Sequence, residues 1–179
     1  MTLSSKQVGV LKGMASAMLL SIISIWIAVH FDPFNYSNIS LLGERLAVLG
    51  LSLILPTLLL IVSIGRLARF RFFSPEDIDG SGLTLGSAKA RVLQSLLQNT
   101  LEQFVIMFGT YTAWVLLMPA SWLSVVPVSS VLFAIGRLSF FKGYSHGASA
   151  RALGFALTFY STALMFFVLI AYQLLIVIS

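Results

Sequence analysis

The 179-residue chain contains no cysteine. It therefore forms no disulfide and owns no thiol nucleophile, so any sulfur chemistry has to arrive with a substrate. Charge is nearly as scarce: Asp, Glu, Lys and Arg make up 9% of the residues, with six acids and two histidines. These few metal-ligand types are spread along the chain and build no metal cluster; there is also no Gly-rich phosphate loop and no DNA-binding motif. Neither a resident metal nor nucleic acid is an expected partner.

What the chain has instead is apolar length. Apolar residues make up 58% of it, in uncharged runs from Lys12 to Asp32, Arg45 to Arg66, Glu102 to Arg137 and Arg151 to Ser179. A helix needs roughly 20 apolar residues to cross a bilayer core. The third run is long enough for two crossings, and Pro119, Ser121 and Pro127 put a turn in its middle. The pattern predicts an all-α integral membrane helical bundle of five helices: Val10 to Phe31, Leu46 to Arg69, Arg91 to Met118, Leu123 to Phe141 and Ala152 to Ile178. A cleaved signal peptide fits the first run less well. That run exceeds the usual signal core of roughly 7–15 residues, and no small-x-small site follows it near Val29 and His30.

Five crossings sort the charges. Lys6, Lys12, Arg66, Arg69, Arg71, Lys89, Arg91, Arg137, Lys142 and Arg151 fall on one side, and only Arg45 falls on the other. An excess of Lys and Arg in short loops marks the cytoplasmic side, so the N-terminus is expected inside and the C-terminus outside. Trp26, Trp114 and Trp122 fall toward the opposite interface, where amphipathic rings settle. His30 and His146 lie on opposite sides and cannot share a metal. The net charge of +5 also makes the inner face attractive to anionic lipids and substrates. Compact loops and an uncleaved first helix suit a bacterial inner membrane.

The longest connection, Arg69 to Ala90, is polar. Its Ser74-Pro75-Glu76-Asp77 segment reads as a helix start, with the hydroxyl as cap and acids in the first turn. A polar stripe then opens the third helix: Arg91, Gln94, Ser95, Gln98, Asn99, Glu102 and Gln103. Positions 91, 95, 99 and 102 recur at helical spacing and share one face. Such groups at the mouth of a membrane helix have to face protein or a water-filled cavity. Two readings stay open: a network holding the bundle together, or a ligand site.

A second cluster spans the end of the fourth helix and the start of the fifth. Arg137, Tyr144 and Arg151 are seven residues apart, two turns each if the segment is helical. Guanidiniums bind carboxylates with two prongs, and a phenol donates to a developing anion. The competing reading is an ordinary basic flank with snorkelling arginines. Gly109, Gly136, Gly143, Gly147 and Gly154 are spaced to let helices approach closely, and Pro56 is placed to kink the second helix. Phe104, Phe108, Phe155, Phe159 and Phe166 read as core or lipid-facing residues.

At these residues the chain resembles the membrane-associated proteins in eicosanoid and glutathione metabolism (MAPEG), a family that includes microsomal glutathione transferases and leukotriene C4 synthase. Asn99-Thr100-Leu101-Glu102, Gly136-Arg137, Phe141-Lys142-Gly143-Tyr144 and Arg151 carry the resemblance, which covers roughly Leu46 to Leu175. It implies a four-helix core over residues 46–179, with residues 1–45 as an extra N-terminal transmembrane helix and its connecting loop. It also implies a homotrimer with glutathione bound as co-substrate between subunits, and no metal. Asn99, Glu102, Arg137 and Tyr144 would then bind glutathione, with Arg91 reaching in one turn before Ser95. Arg151 would be the catalytic residue that favours the thiolate. The implied activity is that of a glutathione transferase or peroxidase acting on a hydrophobic small molecule or lipid hydroperoxide beside the membrane lipid. Two positions depart from the family pattern: Ser95 stands where glutathione-binding relatives carry arginine, and Phe140 where several carry tyrosine. A non-catalytic lipid-binding or scaffold member, like the five-lipoxygenase-activating protein, is the alternative those departures favour.

Overall fold

The computed structural model describes residues 2–80 and 82–178; Ser179, where the last uncharged run ends, lies outside them. Among the described residues every regular element is helical: α1 (Ser5–Phe31), α2 (Leu42–Phe72), α3 (Ala88–Leu117), α4 (Val125–Gly143) and α5 (Ala148–Ile178). All five are long and apolar enough to cross a membrane. The helices α2 and α3 extend further at both or one end than the uncharged runs alone predict, because capping and charged residues continue each helix beyond its apolar span.

Short links alternate the helix directions. The ten basic residues named above therefore gather toward one end of the bundle and Arg45 toward the other. At the Arg45 end, one guanidinium nitrogen donates to the carbonyls of Val115 and Met118, at 2.8 and 2.9 Å. Those carbonyls belong to the last turn of α3 and the residue after it, which have no partner within the helix. Ser124 and Ser37 both donate to the Asp32 carboxylate, joining the end of α1 to the start of α4. Burial works against the Asp32 charge, but hydrogen bonds from Ser124, Ser37 and the local backbone outweigh it and hold the carboxyl below its usual value.

The core runs along this half of the bundle. Met107, Tyr111, Trp114, Leu123, Phe133 and Met165 are fully buried. Trp114 stacks on Trp122 and donates its indole N–H to that residue's carbonyl at 3.0 Å. Of the three tryptophans expected at the interface, Trp26 is exposed and Trp114 is a core residue.

Proline placement has a hydrogen-bond consequence. Pro56 sits inside α2 and has no N–H for the Ser52 carbonyl four residues earlier, and α2 continues through it. Ser130 of α4 donates to that carbonyl at 2.5 Å, so the helix defect becomes an interhelical bond. Pro127 lies in the first turn of α4, where a missing N–H costs nothing.

Glycine lets α4 and α5 meet. A β-carbon on Gly136 would lie 2.6 Å from the Thr158 methyl, and one on Gly143 or Gly154 would run into backbone of the facing helix. Gly109 and Gly147 have open space instead, and Gly147 serves the chain reversal with φ +99°.

Candidate functional site

A cavity of about 680 Å³ opens at the basic end of the bundle. Its floor is the α3 stripe: Gln94, Ser95, Gln98, Asn99 and Glu102 all line it. The stripe starts from a firm anchor. Ser87 accepts the Ala90 N–H as N-cap, and Asp77 in turn accepts the backbone N–H and the hydroxyl of Ser87, each at 2.7 Å. Ser74 also donates to Asp77, at 2.8 Å. The segment expected to start a helix at Ser74 is therefore a run of turns, because Asp77 turns back to hold the true start of α3. The Ser87 N–H and hydroxyl hold the buried Asp77 carboxyl below its usual value against the cost of burial, with Ser74 and Arg71 adding to the effect.

The second wall comes from the link between α4 and α5. This segment is not one helix: α4 stops at Gly143, a 3₁₀ turn covers Tyr144–His146, and α5 starts at Ala148. The reversal brings Tyr144 and Arg151 together, with the guanidinium carbon 4.4 Å from the ring centre. Both line the cavity, with Phe140, Ala152 and Phe155 beside them. Phe155, expected in the core or facing lipid, is thus also a cavity residue.

Arg137 lies behind this wall and is fully buried. It donates to Asn99 Oδ1 and Thr158 Oγ1, each at 2.7 Å, and stacks over Phe140 with its guanidinium carbon 4.5 Å from the ring centre. Its Nε has no hydrogen-bond partner among the described residues. Because the Asn99 oxygen is taken by Arg137, the amide N–H₂ is the group Asn99 offers to the cavity. Phe140 packs edge-on against Tyr144 at 5.4 Å, so guanidinium, ring, ring and guanidinium alternate from Arg137 to Arg151.

Asn99, Glu102, Tyr144 and Arg151 thus share one cavity. Arg91 lines a smaller one of about 240 Å³ with Arg71 and Asp77; the two cavities share Gln94 and Ser95. Glu102 is exposed to the cavity and accepts from Gln98 at 2.9 Å. The expected residues leave out the third wall: Val10 and Met14 of α1 also line the main cavity. The signal that could have found them is small-residue spacing, Gly9, Gly13, Ala17 and Ser21, which marks a helix face for close packing.

The MAPEG family model matches residues 46–171, well over half of the chain. The chain belongs to the MAPEG family. With five apolar helices it is an integral membrane protein of that family, and its helices contact lipid. The family match includes α3, α4, most of α2 and most of α5, with every cavity wall except the one from α1. No curated protein and no solved structure matches the chain.

Proposed function

We propose that the main cavity binds glutathione and brings its sulfur to a hydrophobic electrophile or lipid hydroperoxide, making this chain a membrane-embedded glutathione transferase or peroxidase. The observation that carries the reading is the meeting of the α3 stripe with Arg151 and Tyr144 in one cavity of about 680 Å³. That volume suits a small-molecule site, and its walls are apolar apart from a few convergent polar groups.

The residues fit the ligand chemically. Glu102 is a carboxylate for the ammonium, the Asn99 amide donates to a carboxylate or peptide carbonyl, and Arg151 is a cation on the opposite wall. A free thiol near its ordinary pKa of about 8.5 is mostly protonated at neutral pH. A guanidinium beside it favours the thiolate, at about 1.4 kcal/mol per unit of lowered pKa. With no cysteine of its own, the chain contributes position and charge and forms no thioester or mixed disulfide. In this reading Arg137 works through Asn99, fixing which end of the amide faces the ligand.

The proposed assembly is a homotrimer in a bacterial inner membrane, with the basic end cytoplasmic by the positive-inside rule. A second reading, a non-catalytic lipid-binding or scaffold member, is favoured by Ser95 and Phe140. Both line the cavity, and neither offers a charge there. Calorimetry on the detergent-purified chain separates the two. Saturable glutathione binding, weakened about tenfold or more by Glu102→Gln, supports the first. No binding at millimolar glutathione overturns it and leaves lipid binding as the function.

A further inference from the structure

The smaller cavity, about 240 Å³, sits where the end of α2, the start of α3 and the connection between them meet. Two guanidiniums border it, Arg71 from the last turn of α2 and Arg91 from the first turn of α3. Gln94 holds the first of them: Arg71 Nη2 donates to its Oε1 at 3.1 Å. Arg91 is exposed, and its guanidinium has no hydrogen-bond partner among the described residues. Asp77 also borders the cavity, but both its oxygens accept from Ser87 or Ser74, which commits it to the start of α3. Gly80 and Gly86, at φ +83° and +68°, turn the connection back beside the arginines. A β-carbon on Gly80 would lie 3.8 Å from Arg71 Nη1, and one on Gly86 would lie 4.0 Å from Arg91 Cγ.

A volume of about 240 Å³ falls below the roughly 300–1,000 Å³ of a small-molecule site, yet it holds one terminal group easily. Gln94 and Ser95 border this cavity and the main one alike. Ser95 stands where glutathione-binding relatives carry arginine, and the short side chain leaves free the space that a guanidinium at that position would fill. We infer that Arg71 and Arg91 form a carboxylate subsite, entered past Ser95, that selects thiols ending in a free carboxylate. The inference rests on the main cavity holding glutathione, whose glycyl carboxylate is the group assigned to the subsite.

Reach and charge agree with this assignment. Glu102, the partner proposed for the ammonium, is seven residues from Ser95, roughly 10 Å along the helix. An extended tripeptide spans roughly 10 Å, so its terminus reaches Ser95 with the ammonium at Glu102. A carboxylate accepts from both guanidiniums in short, charge-assisted bonds, whereas an esterified or amidated terminus brings no charge to them. Arg151, on the far wall beside Tyr144, is left to the sulfur.

The test is calorimetry on the full chain in lipid nanodiscs, titrated with glutathione and with its glycyl monoethyl ester, which differs in lacking the terminal charge. The native chain is expected to bind glutathione about 30-fold more tightly than the ester. Arg91→Ala is expected to reduce that preference to about threefold, and Ser95→Leu to do the same with both arginines in place. Lys89→Ala removes an exposed cation two residues from Arg91 that borders neither cavity, and the preference is expected to stay native. Equal native affinity for glutathione and ester, an unmoved preference in either Arg91→Ala or Ser95→Leu, or an equal fall in Lys89→Ala overturns the carboxylate subsite and leaves the glutathione reading standing. Binding of neither ligand overturns the glutathione reading and the subsite with it.

Discussion

The two ends of this bundle treat their polar groups in opposite ways. At the Arg45 end, the charged groups and the Trp114 indole find partners inside the chain: Arg45 covers the last carbonyls of α3, Asp32 gathers Ser37 and Ser124, and Trp114 bonds to Trp122, although the buried Tyr111 and Ser129 hydroxyls have no hydrogen-bond partner among the described residues. At the basic end, amides, a carboxylate and Arg151 border a cavity, and the Nε of the buried Arg137 has no hydrogen-bond partner among the described residues. Groups satisfied within the chain contribute to stability, whereas groups left facing a cavity are available to a ligand. One end closes the fold and the other leaves polar groups facing a cavity.

The contrast can be broken from either side. The largest effect is expected from Trp114→Ala, which empties a fully buried site and removes a hydrogen bond, at a cost of about 3–5 kcal/mol. Thermal unfolding in detergent measures it, while glutathione affinity in the folded fraction stays near native; a folded variant that loses affinity would show that the two ends are coupled. Arg151→Ala is expected to do the reverse. Conjugation falls about 100-fold, or about 2.7 kcal/mol in the barrier, with an unchanged melting temperature. An unchanged rate in the folded variant removes Arg151 from the chemistry.

Arg45→Ala sharpens the comparison on a smaller scale. It uncovers two carbonyls at the end of α3, and a stability loss of about 2 kcal/mol with full activity is expected. The smallest effect concerns Asp77, whose carboxyl is held below its usual value. The sign follows from that depression: its contribution is complete above the ordinary carboxylate pKa of about 3.9 and is lost as pH falls through the lower folded value. The protection of the Ser87 and Ala90 amides against hydrogen exchange, relative to a free peptide, should therefore be full at neutral pH and fall only below about pH 4. Asp77→Asn should lower that protection at neutral pH.

Much of the architecture was legible as spacing of charge. Bilayer thickness and the desolvation cost of a charged side chain leave few ways to arrange four uncharged runs, so five helices and a basic end follow directly. The membership of Asn99, Glu102, Tyr144 and Arg151 in one cavity was legible only through a resemblance, because 41 residues and a chain reversal separate the two pairs. Arg91 and Arg137 lay beyond reading by period alone. One turn of helix moves Arg91 into the neighbouring cavity, and Arg137 turns inward to Asn99 and Thr158. The role of α1 was hidden for a similar reason: Gly9 and Gly13 announce close packing without naming the partner helix.

By itself, then, the sequence determined that this chain is a membrane-spanning helical bundle, how many times it crosses and which end is basic, since those depend on local hydrophobicity and charge. Only tertiary structure decided that α1 docks on α5, that Val10 and Met14 wall the cavity, and that Arg137 orients Asn99 from behind it. Those facts depend on which helix faces meet, and helix packing in a membrane is set by the fit of small side chains and buried hydrogen bonds, which hydropathy does not encode.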